Sequence, residues 1–266
     1  MRLQWRQHMN KYLLLLLLLL AGCADMQKNG SPAVEKNTES AKIHGELGSG
    51  YLEKKYYEIA LEEFNESVKF DPNYALAYNG LGMVYSALRQ DDKADANFKR
   101  SLQLDPTKSE AHNNYGTFLC TRGRYNESIP HFLEAVKNPL YPTPQFAYMN
   151  AGLCSLRKND VTNAEKYLRQ ALQIDPLLYA AAYQMALIEF NRNKFEAARF
   201  YLKNSLIASP TPEVLWLGVR IARQLADRDA EASQSLELRR RYPDSEQAKA
   251  LLDSLQKLDS LQKDGQ

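Results

Sequence analysis

Cysteine and histidine are scarce in this chain of 266 residues, with three of the first and four of the second. The histidines, His8, His44, His112 and His131, are scattered, and no His/Cys/Asp/Glu group has the spacing of a metal site. A glycine-rich phosphate loop and a nucleophile elbow are also missing. Adjacent Asp91 and Asp92 read as the start of a helix, not as an acid pair. With these routes to catalysis gone, no enzyme, no cofactor, no metal and no small-molecule substrate are expected. Charge of one sign is lacking too. The formal net charge is +2, but Arg2, Arg6 and Lys11 lie in residues 1–22 beside no acid, which leaves 31 basic against 32 acidic residues in the remainder. No basic stripe with interleaved aromatics is present, so a nucleic-acid partner is not expected. The mixed charges read as solvated helix faces. Long hydrophobic runs are absent as well: Leu13–Leu20 is well short of the roughly 20 residues that span a bilayer.

What the chain has is a period. Pro72, Pro106 and Pro139 are 34 and 33 residues apart, Pro176, Pro210 and Pro243 are 34 and 33 apart, and the gap between the two sets is 37. The stretch Ala75–Pro106 reads as two amphipathic helices closed by a proline, which cannot continue a helix. With units starting near 41, 75, 109, 145, 179 and 213, the eighth place is Gly48, Gly82, Gly116, Gly152 and Ala186. The twentieth place is Ala60, Ala94, Ser128, Ala164, Ala198 and Ala232. The twenty-fourth is Phe64, Phe98, Phe132, Leu168, Leu202 and Leu236. Two antiparallel helices approach closely only where side chains are small, and a larger apolar residue fills the groove beside them. A helix-turn-helix repeat of about 34 residues resembles the tetratricopeptide family. The fold expected is all-α, a superhelical solenoid of six tetratricopeptide repeats spanning 41–261, with a C-terminal capping helix at 245–261 and a disordered tail at 262–266.

The N-terminus couples a basic segment to the run Leu13–Leu20 and then to Ala21-Gly22-Cys23, the layout of a secretory signal over residues 1–22. Leu20-Ala21-Gly22-Cys23 resembles the lipobox of bacterial lipoproteins, which implies lipidation of Cys23. Ala24 stands where inner-membrane retention would call for aspartate. The resemblance therefore implies the outer membrane, at its periplasmic face. Residues 23–40 are polar and read as a lipidated flexible tether.

Within the repeats, Gly45, Gly48 and Gly50 weaken the first helix, as a fraying end repeat or as one that a partner orders. Asp91 and Asn126 are placed to cap second helices, and Pro130 predicts a small kink. The segment Asn138–Pro144 inserts two residues and three prolines, either a tolerated loop or a break dividing the array into halves. Glu189 stands where Tyr51 and Tyr85 stand in their repeats. Repeat six is the weakest match: Arg220 takes the glycine place and Trp216 the fourth.

Cys120 and Cys154 fall in first helices of neighbouring repeats. In an oxidising compartment they are expected to form a disulfide; the alternative is two buried free thiols. First helices of a tetratricopeptide array line its inner groove. The predicted partner-binding residues are Ser49, Leu52, Leu76, Asn79 and Met83 in the first half. In the second half they are Phe146, Met149, Leu153, Tyr183 and Leu187, continued by Val214, Leu217, Ile221 and Gln224. This second half is strongly apolar, either a partner site for an amphipathic helix or core. The groove lacks the lysine–asparagine set with which some tetratricopeptide domains clamp a terminal carboxylate.

A lipobox, a short tether and six repeats with a cysteine pair in repeats three and four, including AYNGLGMVY (77–85), NNYGTFLC (113–120) and AGLC (151–154), resemble the type IV pilus biogenesis family PilF/PilW. The resemblance implies an outer-membrane pilotin that binds the secretin PilQ and promotes its localisation and multimerisation, for pilus biogenesis and twitching motility. It places the secretin contact in the N-terminal repeats. The alternative is a generic periplasmic tetratricopeptide lipoprotein that scaffolds envelope assembly or activates a peptidoglycan synthase.

Overall fold

A computed structural model describes residues 32–264, with side-chain surroundings from 37 to 257. The predicted signal, Cys23 and the first part of the tether lie outside the described residues. The described chain is a run of helices with no strand: α1 (Pro32–Glu53), α2 (Tyr57–Phe70), α3 (Ala75–Ala87), α4 (Asp91–Leu104), α5 (Ser109–Thr121), α6 (Tyr125–Ala135), α7 (Pro144–Arg157), α8 (Val161–Ile174), α9 (Tyr179–Asn191), α10 (Phe195–Ala208), α11 (Pro212–Gln224), α12 (Arg228–Arg241) and α13 (Glu246–Asp264). Helices α1–α12 pair into six hairpins, one per repeat. The chain forms two compact units, one up to Leu104 with repeats one and two, the other from Asp105 with repeats three to six and α13.

Each hairpin turns on one left-handed residue: Lys55, Arg89, Gly123, Asn159, Asn193 and Ala226. At each, two hydrogen bonds close the end of the first helix. In repeat two, Arg89 N donates to the Ser86 carbonyl and Gln90 N to the Tyr85 carbonyl; in repeat six, Ala226 N donates to Arg223 and Asp227 N to Ala222. This pair of bonds, one spanning three residues and one spanning five, satisfies carbonyls that the helix end would leave without partners.

The small and large places meet as the period requires. An added Cβ on Gly48, Gly82 or Gly116 would stand 2.8 Å from Phe64, Phe98 or Phe132, and one on Gly152 2.7 Å from Leu168. Gly80, which the period does not mark, is tighter still: its Cβ would stand 2.2 Å from Phe64 of the preceding repeat. At the twenty-seventh place a small residue is fully buried in the first five repeats. In two of them its hydroxyl ties the hairpin back to its start: Ser67 Oγ donates to the Ala41 carbonyl (2.6 Å) and Ser101 Oγ to Ala75 (2.8 Å).

Repeat six departs from its predicted register. Ala232 and Leu236 are exposed, whereas Ser235 and Leu238 are buried. The unit starts at Pro212, one residue earlier than expected, because Thr211 caps α11 by accepting from Val214 N and Pro212 takes the first turn. The eighth place is therefore Val219 rather than Arg220. Val219 is buried with Leu215, Leu238, Ala248 and Leu251.

Other boundaries shift for local reasons. Helix α1 reaches back to Pro32, so residues 32–40 are helical rather than tether. Proline suits a first turn, and Ala33, Glu35 and Lys36 are favourable helix residues. Helix α13 runs to Asp264, taking in three residues of the expected tail. Asp91 and Asn126 lie inside α4 and α6 instead of capping them; side-chain caps among the described helices include Asp160, Thr211, Asp227 and Ser245. Helix α6 continues through Pro130. The insertion does not divide the array. Tyr141 is buried between α6 and α7 against Ala135 and Ala147, and both flanking repeats belong to one unit.

Candidate partner-binding grooves

In the N-terminal unit, α3 presents Leu76, Asn79 and Met83 on one face, as i, i+3 and i+7 spacing dictates. Leu76 is exposed and Met83 half-buried, but Asn79 is 8% exposed and its amide turns toward Met83 Sδ at 4.0 Å. On α1, Ser49 is exposed with its hydroxyl donating to the Gly45 carbonyl, and Leu52 packs partly into the Phe64–Leu81–Val84 cluster. Leu76, Met83 and the rim of Leu52 are thus the apolar surface that this groove offers. Gly45 and Gly48 are consumed by close packing on Tyr74 and Phe64, while Gly50 faces open space. A second surface went unnoticed in the sequence. Places three, seven and ten of repeats two to five are buried, but in repeat one they are Ile43 (48% exposed), Leu47 (45%) and Gly50. With Tyr51 they line an open groove of about 370 Å³. The signal was available: a first repeat carries apolar residues where others meet a preceding helix.

In the second unit, Phe146 is 41% exposed, while Met149 packs on the Leu168–Met185 cluster. Leu153 is half-buried, and Tyr183 and Leu187 lean on Ala198, Leu202 and Leu217. Burial pushes the Tyr183 phenol up; the Glu213 charge adds to this and Arg220 opposes it. Val214, Leu217 and Ile221, expected in the groove, are core at 2–6% exposure. The one-residue register shift turns them inward and brings Trp216, Arg220 and Arg223 to the groove in their place. There they line a pocket of about 480 Å³ together with Phe190, Phe195 and Ser254. Thr211-Pro212 was the sequence signal for this shift.

Polar groups in the unit are mostly paired. Glu189 is 3% exposed and is faced by Arg169, Arg192 and Lys194 at 3.5, 3.6 and 3.9 Å, which accounts for its place in a tyrosine position. Hydrogen bonds from Arg169 and Arg192 hold the Glu165 carboxyl below its usual range. His112 and His131 meet Nδ1 to Nδ1 at 2.9 Å, and His112 Nε2 donates to the Pro106 carbonyl at 3.0 Å. Since that carbonyl only accepts, neutral His112 carries its proton on Nε2 and accepts from His131 Nδ1–H. Cys120 and Cys154 are joined in a disulfide between α5 and α7, with Cα atoms 5.9 Å apart. Among the described residues there is no group of three potential metal ligands, and no helix is long and apolar enough to cross a membrane.

Sequence profiles of the tetratricopeptide repeat match residues 75–108, 97–129 and 121–178. The type IV pilus assembly protein PilF of Pseudomonas aeruginosa is 30% identical over 235 residues, covering 87% of this chain and 92% of that protein. This chain belongs to the PilF/PilW family. Two solved structures agree. PilW, described as a widely conserved type IV pilus biogenesis factor, superposes with a TM-score of 0.70 at 30% identity, over 80% of this chain and 98% of its own. The Pseudomonas aeruginosa PilF structure gives 0.76 at 29% identity, over 82% and 99%. MamA, at 22% identity and a TM-score of 0.52, shares the fold alone. In this PilF/PilW-family chain, the N-terminal groove, the open end of α1 and the arginine-lined pocket of repeat six are among the described surfaces open to a partner.

Proposed function

We propose that this protein is an outer-membrane lipoprotein pilotin of the type IV pilus system. Lipid on Cys23 anchors it at the periplasmic face. The N-terminal groove, with Leu52, Leu76 and Met83 as its apolar contacts and Ser49 and Asn79 at its edge, holds a segment of the secretin PilQ while the pore assembles. Phe146, Met149, Leu153, Tyr183 and Leu187 form a second apolar strip in the other unit. The observation that carries this reading is the near co-extensive match to PilF, 87% of one chain against 92% of the other. A match restricted to the repeats' packing positions would support the fold and nothing more. The groove supports the reading through its chemistry: exposed Leu76 beside half-buried Met83 suits the apolar face of a partner helix.

Deletion of the gene, followed by a blot for heat-resistant secretin multimers in the outer membrane, tests the proposal. Multimers are expected to fall sharply and twitching to stop; unchanged multimers would refute it and favour a general envelope scaffold. A Cys23→Ala chain is expected to fold normally while leaving the multimers mislocalised. A Met83→Asp chain is expected to lose secretin binding with its helical signal intact.

A further inference from the structure

Helix α11 carries Arg220 and Arg223 three residues apart, hence on one face, and both point into the groove of the second unit. Their surroundings are aromatic. The Arg220 guanidinium lies over the Phe190 ring at 4.4 Å and that of Arg223 over Trp216 at 5.7 Å; Phe195 completes the wall. Stacking of this kind holds a guanidinium flat and leaves its N–H edge free to bind. The charges do not balance. Arg223 Nε donates to Glu231 at 2.6 Å and its Nη1 to Ser254 Oγ at 2.9 Å, while its Nη2 is buried with no partner. Arg220 has no carboxylate partner among the described residues. Both guanidinium groups line one cavity of about 480 Å³, and no carboxylate of the described residues lines it. Other arginines of the unit, such as Arg124, Arg169, Arg192, Arg199 and Arg241, sit against an acid. A half-buried guanidinium held over an aromatic ring without a carboxylate beside it has the charge and the N–H donors to take an anionic group.

We infer that this pocket binds an aspartate or glutamate side chain of an extended protein segment, with Arg220 as the principal contact and Arg223 held in place by Glu231 and Ser254. The three aromatic rings take the apolar neighbours of that acid. The inference does not rest on the pilotin reading, since the pocket is separate from the N-terminal groove and no secretin is needed to test it. The contact differs from a terminal-carboxylate clamp in using stacked arginines open along the groove.

Trp216 reports on the site directly. The sequence has two tryptophans, and the other, Trp5, lies in the expected signal. The probes are acetylated and amidated hexapeptides with a central aspartate and varied apolar neighbours. Their asparagine counterparts are run as amides and with a free C-terminal carboxylate. The indole N–H signal of Trp216, in the lipid-free chain from residue 24 onward, should move with aspartate peptides at sub-millimolar concentration and weaken with added salt. It should not move with amidated asparagine peptides. Arg220→Gln should weaken binding at least tenfold while leaving the helical signal and melting unchanged, and Arg220→Lys should recover it only in part. Equal shifts from aspartate and amidated asparagine peptides would overturn the inference, as would no shift from any acidic peptide at millimolar concentration. A shift confined to the free-carboxylate peptides would overturn the side-chain assignment. Unaltered binding by Arg220→Gln would leave Arg220 as a packing residue only.

Discussion

Ala226 holds φ at 55° without the freedom of glycine, as do Lys55 and Arg89 at 63° and 60°, whereas Gly123 meets the same demand at no steric cost. A left-handed conformation costs an ordinary residue about 1–2 kcal/mol, and glycine returns part of this through the freedom of the unfolded chain. Ala226→Gly is therefore expected to stabilise the second unit by about 0.5–1 kcal/mol, and Gly123→Ala to destabilise it by a similar amount. Urea unfolding of the two variants beside the parent chain checks both signs. The glycine–aromatic pairs were legible in the sequence because both partners recur at fixed places. The hinge residues were less so, because the backbone imposes the turn and only Gly123, Asn159 and Asn193 of the six positions carry a residue that would advertise it. Gly80 was missed for a related reason: its partner Phe64 belongs to the preceding repeat, so counting within one unit never pairs them.

At the level of helices, the pair α5–α6 joins through His112 and His131. Burial first, and then the nearby His112, pull the His131 imidazole below its usual range; the charges of Glu127 and Glu134 oppose this. The unfolded chain thus binds a proton more readily at that residue than the folded one. Its contribution to stability is full above about pH 6.5 and is lost as pH falls through the folded value. A doubly protonated pair would also set N–H against N–H at 2.9 Å. Melting temperature is expected to drop between pH 7 and pH 5, with a shallower slope in His131→Gln; equal slopes would show that the pair does not set this dependence. Helix existence followed from the period, but which face a helix buries is a finer matter. A shift of one residue rotates a helical face by about 100°. That single step moved Val214, Leu217 and Ile221 from groove to core and set Arg220 and Arg223 in their place. The tether was misjudged on the same scale, because polar residues with good helical propensity extend α1 without needing a core of their own.

For the second unit as a whole, the Cys120–Cys154 disulfide closes a loop across one full repeat length and links the repeats on either side of the insertion. Cross-linking positions 34 residues apart restricts the unfolded chain, and reduction or the paired Cys120→Ser, Cys154→Ser change is expected to cost about 2–4 kcal/mol. Urea unfolding with and without reductant measures it, and an unchanged midpoint would mean that the link adds nothing. The repeat count could be read from spacing; the cysteine pair needed the expected oxidising compartment as well, with two free thiols as the alternative. The division of the chain at Leu104 could not, since the proline-rich insertion was the more conspicuous irregularity and Tyr141 fills the gap it would have opened. The left-handed residues mark the array in a further way. They lie 34, 34, 36, 34 and 33 residues apart, so the chain between two of them is a cassette with identical ends. A second copy of residues 160–193, inserted after Asn193, begins and ends at the same backbone conformation and presents the same helix faces to its neighbours. The molecule can thereby be lengthened by one unit at the cost of one new hairpin, α9 against the copied α8, and its reach becomes a quantity set by gene duplication.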